Sequence, residues 1–203
     1  MKKLAAIVLV TTCLFLVSFT SDKKGYQVGD DVSDFNLKST SGEMVSLASY
    51  KEAKGFIIVF TCNHCPFSVA YEDRIIALQA KYKAKGFPVV AINSNNKDIE
   101  PEDSYEEMIK RAAEKKFNFN YLYDSTQEIA HQFGAARTPH VFIVEKQKSN
   151  LILKYIGAID DNTDEPEAVT KKYVETAVDQ ILAGQEVTTP MTKAIGCTIK
   201  WKK

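Results

Sequence analysis

The chain has 203 residues, 45% of them hydrophobic, with 26 basic residues balanced against 26 acidic ones. That length suits one domain of ordinary size with a full core. The even charge argues against a nucleic-acid binder, which carries a basic face or stripe.

Met1-Lys2-Lys3 is a short basic start, and Leu4 to Phe19 is apolar apart from Thr11, Thr12 and Ser18. The charged Asp22-Lys23-Lys24 follows. This layout predicts a secretory signal over residues 1–21, hence an exported protein in a periplasmic or other extracytoplasmic compartment. Ser18 and Thr20 make a poor cleavage region, so an uncleaved anchor is the alternative, on an apolar run short for a membrane span. Processing leaves three cysteines: Cys62, Cys65 and Cys197.

Asp34 to Lys38 and Met44 to Leu47 alternate polar and apolar residues around Ser41-Gly42, which predicts a β-hairpin ahead of the core. Phe56 to Phe60 is too apolar for a half-exposed strand and belongs in the centre of a sheet. From Pro66, apolar residues recur at Phe67, Ala70, Tyr71, Ile75, Leu78 and Tyr82, the spacing of a helix with one buried face. Pro66 fits its first turn, and Gly86 ends the segment. Glu72 and Arg74 on this helix read as solvated, Tyr71 as packing.

Pro88 to Asn93 is a second buried strand, and Asn93 to Asn96 a polar turn. Ser104-Tyr105-Glu106-Glu107 fits a capping box for a helix to about Lys116. Tyr121 to Tyr123 is a short strand. Ser125 to Glu128 offers a cap for a helix through Phe133, closed by Gly134. Thr138-Pro139 then opens the strand His140 to Val144, because a proline cannot donate to a ladder and belongs at a strand's start. Leu151 to Ile156 is its hairpin partner. Asp164-Glu165-Pro166 starts the last helix, which Gly184 ends, and a tail carries Cys197 and Trp201. The order predicts a mixed central sheet with helices on both faces, an α/β architecture.

The chemistry concentrates at Cys62-Asn63-His64-Cys65, where a buried strand hands over to a helix. Free backbone N–H groups and the positive helix end favour a thiolate there. A CxxC in that setting reads as a redox motif. The loop it closes is too small to staple a fold. A protonated His64 would add positive charge beside the Cys62 thiolate and make the disulfide a stronger oxidant. Replacing His64 by Pro should then move the potential negative.

A hairpin, a strand into CxxC, a long helix and a later Thr-Pro opening an antiparallel strand resemble the thioredoxin superfamily. Asp34-Phe35-x-Leu37, Gly42…Val45-x-Leu47 and the insertion before Thr138-Pro139 resemble its redoxin branch. That branch holds the alkyl hydroperoxide reductase/thiol-specific antioxidant type and the extracytoplasmic thiol–disulfide reductases. The resemblance implies a thioredoxin-like domain over residues 26–185, leaving 186–203 as a tail. It implies that Cys62 is the exposed attacking cysteine and Cys65 the buried resolving one. Pro139 matches the cis-proline facing the disulfide, and Thr138 the residue whose backbone pairs with a substrate strand.

The function this points to is thiol–disulfide exchange on protein or small-molecule thiols, needing no cofactor. A membrane or soluble thiol donor would reset the pair. A thiol peroxidase is the alternative within the branch. Its Pro-x-x-x-Thr/Ser-x-x-Cys pattern is missing, because Gly55 and Val59 stand where it requires Pro and Thr/Ser before Cys62. A third reading, from another class, makes Cys62, His64, Cys65 and Cys197 ligands for Zn²⁺ or Cu(I). Cys197 is either an extra resolving thiol that folds back on the pair or a structural tail thiol near Trp201. Arg137, beside Thr138-Pro139, is a candidate neighbour of the thiols that would favour thiolate; His140 reads as a strand-face residue, with a place bordering the substrate groove as the alternative; His131 reads as a helix-surface residue.

Overall fold

The computed structural model describes residues 25–203, so the expected leader over residues 1–21 lies outside the described residues. A hairpin of β1 (Asn36–Ser39) and β2 (Met44–Ser46) comes first, then β3 (Gly55–Phe60), α1 (Pro66–Tyr82) and β4 (Val89–Asn93). Next come α2 (Tyr105–Glu114), β5 (Asn120–Tyr123), α3 (Glu128–Phe133) and β6 (Arg137–Thr138). The antiparallel pair β7 (His140–Gln147) and β8 (Asn150–Gly157) precedes α4 (Tyr173–Leu182) and β9 (Cys197–Thr198).

Seven strands form one sheet in the order β2-β1-β5-β4-β3-β7-β8, and β6 with β9 forms a separate two-stranded ladder. β3 pairs parallel with β4, and β4 with β5, whereas β7 runs antiparallel to β3. This is the mixed sheet the sequence predicts. All six residues of β3 are buried, which is why the run carries no polar residue. Alternate β3 side chains feed opposite layers. Ile57 and Val59 pack with α1 and α4 through Tyr71, Ile75, Val174 and Val178. Phe56, Ile58 and Phe60 pack with α3 through Ile129 and Phe133.

α1 begins with Pro66 in its first turn and runs through a 3₁₀ turn to Gly86, whose φ of 92° suits a residue without Cβ. Its buried face differs from the apolar pattern. Phe67 is half-buried and Ala70 exposed, while Ser68, Glu72 and Gln79 are buried. Gln79 is buried because its Oε1 accepts from Val89 N at 2.7 Å and its Nε2 donates to Asn118 O at 2.9 Å, tying α1 to β4.

Helix starts differ from the sequence reading in three places. Ser104 makes no side-chain cap bond at α2. At α3 the capping residue by position is Gln127, in the left-handed region at φ 66°, and the Asp124 carboxylate takes the Ala130 N–H at 2.9 Å instead. The last helix starts at Tyr173, because Asp161 Oδ1 accepts the N–H groups of Thr170 and Lys171 at 3.0 Å each and holds that stretch as a loop. Asn93 to Asn95, expected as a polar turn, are buried and hydrogen-bonded.

Candidate functional site

Cys62 lies just past the end of β3, and Cys65 caps α1 with φ −65° and ψ 121°, its carbonyl accepting from Val69 N at 3.0 Å. Strand and helix therefore deliver both sulfurs to the C-terminal end of the interior strand β3. The expectation of an exposed Cys62 is corrected: its relative exposure is 2%, against 0% for Cys65. Thr138 and Ser68 close over it. Thr138 Oγ1 is 3.2 Å from Cys62 Sγ and Ser68 Oγ 3.7 Å. The Thr138 carbonyl accepts from the Cys65 thiol at 3.3 Å. The Thr138-Pro139 peptide is cis.

The mutual hydrogen bond of the two thiols, then burial and the Asp103 carboxylate, push Cys62 up. The same contact, aided by one from Cys197, pulls Cys65 down to about 4 against its burial. The Thr138 carbonyl opposes charge on Cys65, and the Thr138 and Ser68 hydroxyls favour it on Cys62. The two thiols therefore titrate as a coupled pair, not as independent groups.

Asp103 is the residue that sequence reasoning missed. It is 0% exposed and sits in a 3₁₀ turn before α2. Its Oδ1 accepts from Asn63 N at 2.6 Å and Asn93 Nδ2 at 3.2 Å, and its Oδ2 from Asn95 Nδ2 at 2.7 Å. His64 Nδ1 lies 2.5 Å from the same Oδ2, and His64 Nε2 is 3.4 Å from Glu100. Nothing in the spacing marks Asp103, which follows the motif by about forty positions in an irregular stretch.

His64 thus faces two carboxylates, and any charge it carries near Cys62 is offset. A sulfur of Cys62, a ring nitrogen of His64 and an oxygen of Asp103 all lie within 4.8 Å of one another. That trio differs from the ligand set expected from the sequence, since Asp103 replaces Cys65 and Cys197. Asp103 already accepts three N–H groups and meets the His64 ring, so a metal would have to break that network.

The other residues singled out by sequence fall in distinct places. His140 is pushed down to about 4 by burial, and its Nδ1 accepts from Ala136 N at 3.4 Å. Arg137 points to the tail, donating to Gly196 O at 3.2 Å. His131 is exposed and stacks on Trp201 at 4.2 Å. Glu72 and Arg74 are not solvated. Glu72 is 4% exposed and held by Arg111 at 2.7 and 2.8 Å, and Arg74 binds Asp160 at 2.8 Å. The tail returns to the site: β9 pairs antiparallel with β6, in a register that sets Cys197 opposite Thr138.

A CxxC at the junction of a central strand and a helix, opposite a cis-proline on a mixed sheet, defines a thioredoxin-like redox fold. The family model described as AhpC/TSA family matches residues 28–151, more than half of the chain, and the chain belongs to that family. It is 23% identical over 143 residues to thiol-disulfide oxidoreductase ResA of Halalkalibacterium halodurans, covering 70% of this chain and 77% of that one. An uncharacterized conserved protein from Geobacillus kaustophilus superposes with a TM-score of 0.80 at 38% identity, over 87% of this chain and 93% of that one. The thioredoxin domain of a thiol-disulfide oxidoreductase from Bacteroides vulgatus shares the fold, with a TM-score of 0.53 at 16% identity, over 66% of this chain and 91% of that one.

Proposed function

We infer that the protein is a thiol–disulfide oxidoreductase that works through Cys62 and Cys65. The observation that carries this is the buried pair itself, with the Thr138 hydroxyl 3.2 Å from Cys62 Sγ and the carbonyl of the cis Thr138-Pro139 peptide 3.3 Å from Cys65 Sγ. Cys62 attacks one sulfur of a substrate disulfide, forming a mixed disulfide and expelling the other sulfur as thiolate. Cys65 then attacks Cys62, closes the internal disulfide and releases the second substrate sulfur. The substrate gains two electrons and the pair loses two. Run in reverse, the same steps oxidise a dithiol. Thr138 Oγ1 and Ser68 Oγ donate to Cys62 when it carries the charge. His64 and Asp103 hold the Asn63 turn between the cysteines.

The substrate is a protein or small-molecule thiol or disulfide, and a membrane or soluble thiol donor resets the pair. The leader over residues 1–21 supports export to an extracytoplasmic compartment. Among the described residues no helix is long and apolar enough to cross a membrane. The catalytic unit runs past residue 185, because the tail supplies β9 and Ile199 to the body of the domain. Peroxidase chemistry is disfavoured by Gly55 and Val59, both buried in β3 without a hydroxyl to offer.

Trapping tests the reading. Cys65→Ser should accumulate mixed disulfides at Cys62 when the protein meets oxidised glutathione or its cellular substrates. Absence of any adduct at Cys62 overturns the assignment. Peroxide consumption by the wild type at rates matching disulfide exchange would favour the peroxidase instead.

A further inference from the structure

Cys197 is a nucleophile that the two-cysteine cycle leaves unused, yet the fold goes to some length to position it. β9 lies on β6 with Cys197 opposite Thr138, the residue that touches both motif sulfurs. The approach is too close for a side chain at the preceding position. A Cβ on Gly196 would sit 2.1 Å from Thr138 O and 3.2 Å from Pro139 N. Downstream the strand is anchored. Ile199 is 3% exposed in the core, Lys200 N donates to Asn95 Oδ1 at 2.8 Å, and Lys202 N to Gln127 Oε1 at 2.6 Å. Asn96 N and Gln127 Nε2 both donate to Lys200 O at 2.9 Å. The tail thus occupies the strand edge beside the thiols as an incoming peptide strand would, with a cysteine in register.

We propose that Cys197 is a third redox thiol, an internal exchange partner that moves the disulfide from Cys62–Cys65 to Cys65–Cys197. This rests on the oxidoreductase reading, which supplies the first disulfide. The Cys197 sulfur attacks Cys65 Sγ, the Cys65–Cys197 bond forms and the Cys62–Cys65 bond breaks. The electron pair leaves on Cys62 Sγ, and the proton lost by Cys197 passes to that sulfur. No net oxidation occurs, so no further oxidant or reductant is needed. The product keeps the protein oxidised by two electrons, with Cys62 in place of Cys197 as the one free thiol.

The electrostatics act in the same direction. In the reduced protein, burial and then contact with Cys65 push the Cys197 thiol up to about 11, while Lys200 and Arg137 pull it down. Once Cys65 enters a disulfide it can no longer carry charge or accept that hydrogen bond. The two cations then act on Cys197 without that opposition, so it gains thiolate character when the target disulfide exists.

The experiment uses full-length protein oxidised with one equivalent of a disulfide reagent, acid-quenched, alkylated and peptide-mapped. Wild type should carry label on both Cys62 and Cys197, one fraction for each disulfide. Cys62→Ser, oxidised in the same way, should lose both remaining thiols to one internal Cys65–Cys197 bond. Gly196→Ala should shift the wild-type label severalfold toward Cys197 by pushing the strand off Thr138. Label on Cys197 alone in wild type, with only separate mixed disulfides in Cys62→Ser, overturns the proposal. Closure of Cys62–Cys65 in Cys197→Ser is the independent check on the parent reading, so the failure of one is distinguishable from the failure of the other.

Discussion

After the Cys65 contact and burial, Asp103 is the next influence on Cys62. Its carboxylate opposes charge on Cys62, while its hydrogen bonds fix Asn63 and two asparagines. Asp103→Asn keeps one acceptor oxygen, enough for Asn63 N and Asn93 Nδ2, gives up the one facing Asn95 Nδ2, and removes the charge. The reduced, thiolate form then gains about 1 kcal/mol, and the potential moves roughly 20 mV in the oxidising direction. Glutathione equilibration measures it, and the shift should exceed that of His64→Pro, because the imidazole faces the carboxylates of Asp103 and Glu100, which offset its influence on Cys62. A second titration belongs to His140. Its folded-state value, about 4, lies below the ordinary one because of burial. The unfolded chain therefore binds the proton first, and stability falls as pH drops from about 6.5 toward 4, by up to about 3 kcal/mol. His140→Asn, which keeps an acceptor for Ala136 N, should flatten that part of a urea-unfolding pH series.

At the scale of elements, α1 is the connector. It starts at the thiols, packs on β3 through Tyr71 and Ile75, and reaches α2 through Glu72 and Arg111. Lys115 adds a contact to Glu72 at 3.3 Å. Arg111→Ala leaves a buried carboxylate with only that lysine. The expected loss is about 2–3 kcal/mol in denaturant unfolding, below the 3–5 of a fully buried pair, because Arg111 is partly solvated. The pair also marks the limit of what sequence can disclose. Local signals carried the strand-to-helix handover, the CxxC and the Thr138-Pro139 opening, since each depends on neighbours within a few residues. Glu72 looked solvated because its partner stands 39 positions away, and a lone charge on a helix reads as surface. Asp103 was invisible for the same reason: its meaning comes from Asn63, His64 and Asn95, which only tertiary folding assembles. The helix starts at α3 and α4 were misjudged because Asp124 and Asp161 reach across loops to take N–H groups that local caps were expected to satisfy.

Across the whole molecule, the tail closes the site and belongs to the core. From β8 the chain packs on the sheet face in α4, and its return to β9 bridges β8 at Met191. Its last residues then plug into the layer that holds Tyr26, Phe35 and Phe133. Stability and redox chemistry are thereby linked through one segment: what anchors Ile199 also sets Cys197 beside Thr138. Removing the anchor without touching a sulfur separates the two contributions. Ile199→Ala deletes buried methyl groups and leaves a cavity, at a cost of about 2–5 kcal/mol. The tail's other apolar anchors, Trp201 and Val187, are only half-buried, so it detaches locally before the seven-stranded sheet unfolds. Hydrogen exchange should then show protection lost first at Ile199, Lys200 and Lys202 amides, while β3 and β4 amides keep theirs up to the global transition. Simultaneous loss of protection in tail and sheet would show the tail to be one cooperative unit with the core.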